Sequence, residues 1–274
     1  MKSGFNVKLV GLVMLFLFFL TALGAGMPGA APCSVSPDQG VKQDLNSVFE
    51  SPIEVSGYPY QEEFAKAAAR YGLPLPFVLA VARGESFFDP EARSAKGALG
   101  IMQIMPKTAG DYGVEPDLLL NPATNIDVGV HLLSDLHKKF KDPYLTLAAY
   151  YCGPGGVEKD SGNVGKNCDE YVRYIHSHLK TIVADAKNGN VMEQKGLKRF
   201  VLASFDNFLD CRNFIQFIED RIDGLRLDSF RKEVPYNDYV RYQYQVLVSY
   251  RNRGEKQRIC AQVQERTGFA FCSM

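Results

Sequence analysis

The chain has 274 residues, 46% of them hydrophobic, and its 31 basic side chains balance its 31 acidic ones. This length allows one large domain or two small ones, with enough apolar residues for a sizeable core. A formal net charge of zero gives no global electrostatic reason to expect nucleic acid or an anionic membrane as a partner.

The first thirty residues have the layout of a secretory signal peptide. Lys2 and Lys8 precede an apolar run from Leu9 to Leu23, and small residues follow that run. The run is short for a bilayer-spanning helix, which needs about 20 residues. We therefore assign residues 1–30 to a signal peptide and predict an exported protein of the periplasm or cell envelope. An uncleaved membrane anchor is the less favoured alternative.

Helix signals dominate after a polar segment. Residues 31–58 are rich in Ser, Pro, Gly and Asp and predict a linker or surface strap. Beyond them, apolar residues recur at helical spacing between Pro, Asn and Gly, the residue types that begin and end helices. The predicted helices are Gln61–Tyr71, Pro76–Ser86, Pro106–Tyr112, Asn121–Phe140, Leu145–Tyr151 and Glu170–Ala186.

The last third of the chain also predicts helices. Aromatic residues from Phe200 to Phe217 recur at near-helical intervals, which is typical of a core, and a last long segment runs from Val234 to Arg251. The predicted fold is therefore mainly all-α, with a helical domain at 59–184 and a helical C-terminal region at 185–274. No motif in the C-terminal region indicates its role.

Six cysteines fit export into an oxidising compartment. The preferred pairing joins neighbours in sequence and then the remaining two, which gives Cys152 with Cys168, Cys260 with Cys272, and Cys33 with Cys211. Other connectivities stay open at this point. No Cys or His cluster has the spacing of zinc ligands, so we predict no metal site and no cofactor.

Glu85 is the candidate catalytic residue. It ends a predicted helix and shares one helix face with Phe77 and Val81, at spacings of i, i+4 and i+8. Desolvation on an apolar face and the negative end of the helix dipole should both raise the pKa of this carboxyl. A carboxylic acid that stays protonated near neutral pH is what a glycosidase needs to protonate a leaving sugar oxygen. Spacing alone is equally compatible with a solvated side chain at a helix end.

Four sequence blocks occur in one order and at suitable intervals. They are 85–90 (ESFFDP), 94–106 (SAKGALGIMQIMP), 121–122 (NP) with 125–126 (NI), and 148–150 (AAY) with 153–155 (GPG). Together they resemble the soluble lytic transglycosylase (SLT) family with its lysozyme-like domain, over about residues 59–182. The resemblance implies an enzyme that cleaves peptidoglycan between N-acetylmuramic acid and N-acetylglucosamine and leaves a 1,6-anhydromuramic end. The expected partner is therefore a peptidoglycan glycan strand.

The resemblance also implies a mechanism with one carboxyl. We find no convincing second carboxylate, because Asp89 precedes Pro90, where it is expected to cap a turn. In this family the acid first protonates the glycosidic oxygen, while the muramic N-acetyl group supports the anomeric carbon. The ionised Glu85 would then take a proton from the C6 hydroxyl as that hydroxyl attacks. Such a group works best with a pKa near ambient pH.

Six further matched residues are expected to bind substrate: Ser86, Ser94, Met102, Gln103, Tyr150 and Tyr171. Ser86 would orient Glu85 through a hydrogen bond, and Tyr150 would approach the acid. Met102 would form an apolar wall, and Gln103 would bond hydroxyl or acetamido groups. Gly97 and Gly100 would let the backbone come close to the substrate.

The sequence departs from the family pattern in two places. Tyr151-Cys152-Gly153 stands where the family has Asn-Ala-Gly, which removes an amide from the expected groove. Asn167-Cys168 replaces a Glu-Thr pair before Tyr171. Because both departures bring a cysteine, a Cys152–Cys168 disulfide would tie the loop that the lost side chains otherwise hold.

Two other functions stay open from the sequence. One is a goose-type-like muramidase that hydrolyses the bond with water. The other is a cell-wall-binding or assembly module of a secretion or pilus system with little activity, whose C-terminal region would dock an envelope-spanning machine. Product analysis and a Glu85→Gln variant distinguish these functions.

Overall fold

The structure is a computed structural model that describes residues 34–188, 197–236 and 239–269. The predicted signal peptide at 1–30 lies outside the described residues. The described residues belong to one compact unit. Within these ranges, no helix is both long and apolar enough to cross a membrane.

The described part of the chain is mainly helical, as the sequence predicted, and its first part contains seven α-helices. They are α1 (Gln39–Glu50), α2 (Gln61–Tyr71), α3 (Leu75–Ser86), α4 (Pro106–Asp111), α5 (Pro122–Phe140), α6 (Pro143–Cys152) and α7 (Lys166–Lys187). Two-residue strands β1 (Ser34–Val35) and β2 (Val164–Gly165) pair antiparallel. The short 3₁₀ helices are Pro116–Leu120 and Pro154–Gly156.

Residues that were predicted to begin or end helices do so in the structure. Asn121 caps α5, since its side-chain oxygen accepts the N–H of Thr124 at 3.1 Å. Gly72 ends α2 with a φ of 71°, a left-handed conformation that glycine adopts without steric cost. The six helices predicted between 61 and 186 are all present, with ends that differ by a few residues.

The segment predicted as a linker, 31–58, contains helix α1. Asp38 caps the helix by accepting the N–H groups of Gly40 and Val41. Val41, Leu45 and Val48 recur at helical spacing and are buried, so α1 packs on the helical core. Polar residues around these three positions hid the apolar stripe in the sequence.

Helix α3 lies in the core and carries Glu85 in its last turn. Residues 77–82 of this helix are 0% exposed, and α3 packs chiefly against α7. Gly84 allows this close contact, because a Cβ at that position would lie 2.3 Å from Cδ1 of Ile175 on α7. The last turn of α3 is thereby held against the helix that carries Tyr171.

The C-terminal region is a sheet with two helices, so the prediction of helices throughout 185–274 is wrong for its three strands. The strands are β3 (Lys198–Phe205), β4 (Leu227–Tyr236) and β5 (Tyr239–Tyr250), arranged antiparallel in the order β3-β5-β4. Helix α8 (Phe208–Glu219) follows β3, and helix α9 (Arg253–Thr267) follows β5. We call β3, β4 and β5 the C-terminal sheet.

Strand β5 shows why the helical prediction failed. Tyr244, Val246 and Val248 are buried at alternate positions, which is the period of a strand and not that of a helix. The aromatic residues from Phe200 to Phe217 lie on both β3 and α8, so their spacing combines two elements of different period.

The predicted Cys152–Cys168 disulfide is present and joins the end of α6 to the start of α7. Cys211 is a buried free thiol, so its predicted pairing with Cys33 is wrong. Burial raises the pKa of the Cys211 thiol to about 12. The third predicted pair includes Cys272, which lies outside the described residues.

Removing the Cys152–Cys168 bond should lower the free energy of unfolding. The bond closes a loop with a sequence separation of 16 residues, and a constraint of that length stabilises a fold by about 3 kcal/mol. Cys152→Ser and the double variant Cys152→Ser/Cys168→Ser should lose similar amounts in urea denaturation, because either change removes the crosslink. Wild-type stability in both variants would contradict this prediction.

Candidate active site

Glu85 lies at a groove of about 460 Å³ between the helical region and the C-terminal sheet. The helical side contributes most of the lining residues, among them Glu85, Ser86, Ser94, Gln103 and Tyr150. The sheet side contributes Phe230, Arg231, Lys232, Glu233 and Tyr242. The groove is therefore built by two parts of the chain that are far apart in sequence.

The Glu85 carboxyl is held by two partners from different elements. Its side chain is 8% exposed. The hydroxyl of Tyr171, on α7, donates to Oε1 at 2.6 Å. Nη2 of Arg231, on β4, lies 3.7 Å from Oε2. The carboxyl is thus fixed in orientation at the edge of the groove.

The pKa of Glu85 is raised above its ordinary value. Burial is the largest cause, because a desolvated carboxylate is unfavourable. The positive charge of Arg231 and the hydrogen bond from Tyr171 act in the opposite direction, and the negative charge of Glu233 adds to the rise. The net direction agrees with the prediction from the apolar helix face.

Tyr171 contacts the acid and does not line the groove. It is 0% exposed, and its ring stacks on that of Tyr151 with centroids 4.7 Å apart. Burial, followed by the charge of Glu85, raises the pKa of Tyr171 well above its ordinary value, so the hydroxyl remains a donor at neutral pH. The residue expected to bind substrate therefore lies where it can orient the carboxyl.

Tyr150 lines the same groove as Glu85 and interacts with its charge. Its hydroxyl donates to the carbonyl oxygen of Met102 at 2.7 Å, and its ring lines the groove. Burial, followed by the charge of Glu85, raises the pKa of Tyr150 well above its ordinary value. Tyr150 thus ties α6 to the segment 87–105, which we call the groove loop.

Ser86 does not orient Glu85 by a hydrogen bond, so that expectation is corrected. Its Oγ donates to the carbonyl oxygen of Ile101 at 2.8 Å and accepts the N–H of Asp89 at 3.1 Å. Ser86 therefore anchors the groove loop to the end of α3, and Tyr171 supplies the bond to the acid.

Ser94 and Gln103 both line the groove, and their contact with substrate stays a prediction. Oγ of Ser94 accepts the N–H of Ala98 at 3.0 Å. Nε2 of Gln103 donates to the carbonyl oxygens of Gly100 and Ala92. Both side chains therefore also shape the loop that carries them.

Met102 is a core residue, which corrects its expected place as a groove wall. It is 0% exposed, and its Sδ would lie 2.5 Å from a Cβ placed on Gly129 of α5. Met105, which is 41% exposed, lines the groove on the same loop. Block 94–106 therefore does supply a flexible apolar side chain to the groove, but it is that of Met105 and not that of Met102.

Asn125 supports the groove loop and is a residue whose role the sequence did not assign. It is fully buried on α5, accepts the N–H of Met102 at 2.7 Å and donates to the carbonyl oxygens of Leu99 and Leu119 at 2.9 Å each. Gly100 faces this amide, since a Cβ there would lie 2.4 Å from Nδ2 of Asn125. The close approach of Asn125 therefore explains why position 100 is a glycine.

The C-terminal sheet fixes the groove loop from the other side. Glu233 on β4 accepts the N–H of Ala95 at 2.5 Å through Oε2 and the hydroxyl of Tyr242 at 3.2 Å through Oε1. Nζ of Lys96 lies 5.6 Å from the centre of the Tyr242 ring. Sequence reasoning missed these residues because the strands that carry them were predicted as helices.

The departure at Tyr151 places an aromatic ring where the family has an amide. Tyr151 lines the groove and stacks on Tyr171. The Cζ atom of Arg231 lies 4.6 Å from the centre of the Tyr151 ring. The neighbouring Cys152 forms the disulfide. The changed residues therefore contact the groups that surround the acid.

Residues 62–172 match the family described as Transglycosylase SLT domain. The soluble lytic murein transglycosylase of Escherichia coli (strain K12) is 34% identical over 127 residues, which are 43% of this chain and 20% of that protein. Membrane-bound lytic murein transglycosylase C of Haemophilus influenzae (strain PittGG) is 31% identical over 173 residues, which are 54% of this chain and 48% of that protein. The chain spans less than half the length of these two relatives.

A solved structure of an inactive mutant of lytic transglycosylase Slt from Pseudomonas aeruginosa is 28% identical, with a TM-score of 0.42, over 48% of this chain and 25% of that chain. The sequence matches confirm the resemblance drawn from the four blocks: the chain carries an SLT-family, lysozyme-like domain. The family match ends before the C-terminal sheet, which begins at Lys198.

Gly100→Ala should destabilise the fold more than Gly97→Ala. Both glycines have a positive φ, 73° and 88° respectively, so each substitution carries a backbone cost of about 1 to 2 kcal/mol. A Cβ on Gly100 would also lie 2.5 Å from the carbonyl oxygen of Leu119, whereas one on Gly97 meets no described atom within 4 Å. Urea denaturation should show the larger loss for Gly100→Ala, and equal losses would refute the steric argument.

Glu85 should make stability depend on pH. Its folded-state pKa lies above the ordinary value of 4.5, so the folded protein holds the proton more tightly than the unfolded chain. The resulting stabilisation is complete below the unfolded pKa and is lost as the pH rises toward the folded pKa. The free energy of unfolding of Glu85→Gln, relative to wild type, should therefore increase above about pH 4.5, by at most about 1.4 kcal/mol per pH unit.

Urea denaturation at a series of pH values measures this difference. Glu62→Gln is the control, because it removes the carboxyl of a side chain that is 86% exposed. A difference between Glu85→Gln and wild type that stays flat, or decreases with pH, would contradict the raised pKa.

Proposed function

We propose that this chain, which carries an SLT-family domain, is an exported lytic transglycosylase that cleaves peptidoglycan glycan strands. The reaction would cut the β-1,4 bond between N-acetylmuramic acid and N-acetylglucosamine and form a 1,6-anhydromuramic end. The names of the curated relatives support the class of enzyme for the matched segment. One observation carries the proposal: a buried carboxyl with a raised pKa lies at a groove.

Glu85 is the general acid in the proposed first step. Tyr171 donates to Oε1, so the transferable proton is expected on Oε2. Arg231 is 3.7 Å from Oε2, which is longer than a normal hydrogen bond and leaves this oxygen able to hold the proton. Proton transfer to the glycosidic oxygen would break the bond to the leaving sugar.

The proposed second step uses the same carboxyl as a base. The N-acetyl group of the muramic residue supports the positive anomeric carbon. The ionised Glu85 then removes the proton from the C6 hydroxyl while that hydroxyl attacks. The acid is protonated again when the 1,6-anhydro ring closes, so no water enters the products.

The other carboxylates of the groove support a mechanism with one carboxyl. Oδ1 of Asp89 accepts the N–H of Glu91 at 2.9 Å and so caps its own turn. Both oxygens of Glu233 accept hydrogen bonds, one from the groove loop and one from β5. A hydrolase with two carboxylates would need one of these groups for a nucleophile or a base.

Export is part of the proposal. The Cys152–Cys168 disulfide supports it, because disulfides persist in oxidising compartments outside the cytosol. A signal peptide at 1–30 and a partner in an envelope-spanning machine remain predictions.

Purified peptidoglycan sacculi test the proposed function. The wild type should release 1,6-anhydromuropeptides, identified by liquid chromatography and mass spectrometry. Glu85→Gln should reduce this release by at least about 100-fold, because it removes the general acid, while sacculus binding in a pelleting assay is retained. Glu62→Gln, an exposed control on α2, should keep wild-type activity.

Each alternative has its own outcome in this experiment. Products with reducing ends would favour the muramidase. Wild-type activity in Glu85→Gln would exclude the proposed mechanism. Binding to sacculi without products from the wild type would favour the binding or assembly module.

A further inference from the structure

We propose that Arg231 is a positioning residue for the Glu85 carboxyl, so that the active site is completed by the C-terminal sheet. Arg231 lies on β4, outside the segment 62–172 that matches the SLT family. The inference rests on the proposed function, because it concerns the same carboxyl.

Arg231 is buried beside the acid. Its side chain is 7% exposed, and Nη2 lies 3.7 Å from Oε2 of Glu85. A buried guanidinium is costly unless an anion or a polar group compensates its charge. The Glu85 carboxyl lies beside this guanidinium and becomes its counter-ion once the proton has left.

Aromatic rings fix the orientation of the guanidinium. The carbon Cζ of Arg231 lies between 4.5 and 5.7 Å from four ring centres, those of Tyr151, Tyr171, Tyr174 and Tyr242. These rings belong to α6, α7 and β5, so three elements hold one side chain. Because a planar cation gains from rings at these distances, the cage favours arginine over lysine.

The backbone of β4 is tied to the residues just before the acid. The N–H of Arg231 donates to the hydroxyl of Tyr174 at 3.2 Å, and this hydroxyl donates to the carbonyl oxygen of Gly84 at 3.0 Å. Arg83 on α3 also forms a buried ion pair with Asp228 on β4. The last turn of α3 is therefore joined to β4 by a hydrogen-bonded chain and by an ion pair.

Charged and titratable groups face the carboxyl from three elements. They are Arg231 and Glu233 on β4, Tyr171 and Tyr174 on α7, and Tyr150 on α6. Tyr151, Tyr242 and Tyr244 face Arg231 from α6 and β5. Within this set of described groups, Arg231 supplies the positive charge.

That charge serves both proposed steps. Burial alone would make Glu85 a reluctant proton donor, since its carboxylate would be poorly solvated. The guanidinium stabilises the carboxylate as the proton leaves and holds it in place until the C6 hydroxyl returns a proton. Loss of Arg231 should therefore slow the reaction and raise the pH at which Glu85 ionises.

The test is the pH profile of kcat/KM and kcat for Arg231→Gln on a soluble glycan of alternating N-acetylglucosamine and N-acetylmuramic acid. The alkaline limb of the wild-type profile reports ionisation of Glu85. In Arg231→Gln this limb should move up by about 1 pH unit or more, and kcat should fall at least about 10-fold. Arg253→Gln, an exposed arginine on α9, should change neither quantity.

Arg231→Lys keeps the charge but lacks the planar group that the cage holds. We expect its alkaline limb to stay within about half a pH unit of wild type and its kcat to fall at least about 5-fold. If Arg231→Gln does not fold, as judged by circular dichroism, Arg231→Lys decides. A wild-type kcat in Arg231→Lys would then overturn the proposal.

Glu85→Gln separates this inference from the proposed function. If Glu85→Gln is inactive while Arg231→Gln folds and keeps the wild-type kcat and alkaline limb, the inference is wrong and the function stands. If Glu85→Gln retains wild-type activity, the function fails and the inference fails with it.

Discussion

Burial of the Glu85 carboxyl is the constraint on which the site depends. An ionised carboxylate is unfavourable away from water, so it needs polar or charged neighbours that stabilise it. Gly84 lets α3 approach α7 closely enough for the Tyr171 hydroxyl to reach Oε1. Arg231 then approaches Oε2 from the C-terminal sheet. The raised pKa results from burial that these two partners offset only in part.

Local signals made the helical part of the fold predictable. Proline and asparagine at helix starts, and glycine at helix ends, act over a few residues, so the helices from Gln61 to Lys187 could be identified from the sequence. The Cys152–Cys168 bond was predictable because both cysteines replace family residues close to each other in sequence. The C-terminal sheet could not be predicted in this way. Strand β5 pairs with β3 across a long intervening segment. The alternation of apolar residues along β5 is short, and the helix-like spacing of the aromatic residues before it favoured a helical interpretation.

Several residues that line the groove could be predicted from the sequence, but their contacts could be predicted only in part. The sequence blocks identified Glu85 and placed Ser94, Gln103 and Tyr150 at the groove, where the structure has them. They could not show that Ser86 bonds the groove loop or that Met102 turns inward, since the course of the backbone decides both. No sequence pattern indicated a role for Arg231, because its contact with Glu85 depends on the tertiary packing of a region without a motif.

Direct titration of the Glu85 carboxyl measures whether burial raises its pKa. The carboxyl carbon can be followed by ¹³C NMR in protein labelled at glutamate, with Glu85→Gln used to assign the resonance. We expect a midpoint above the ordinary value of 4.5, because burial outweighs the stabilising partners. A midpoint at or below that value would contradict it, since the carboxyl would then be ionised before a substrate arrived.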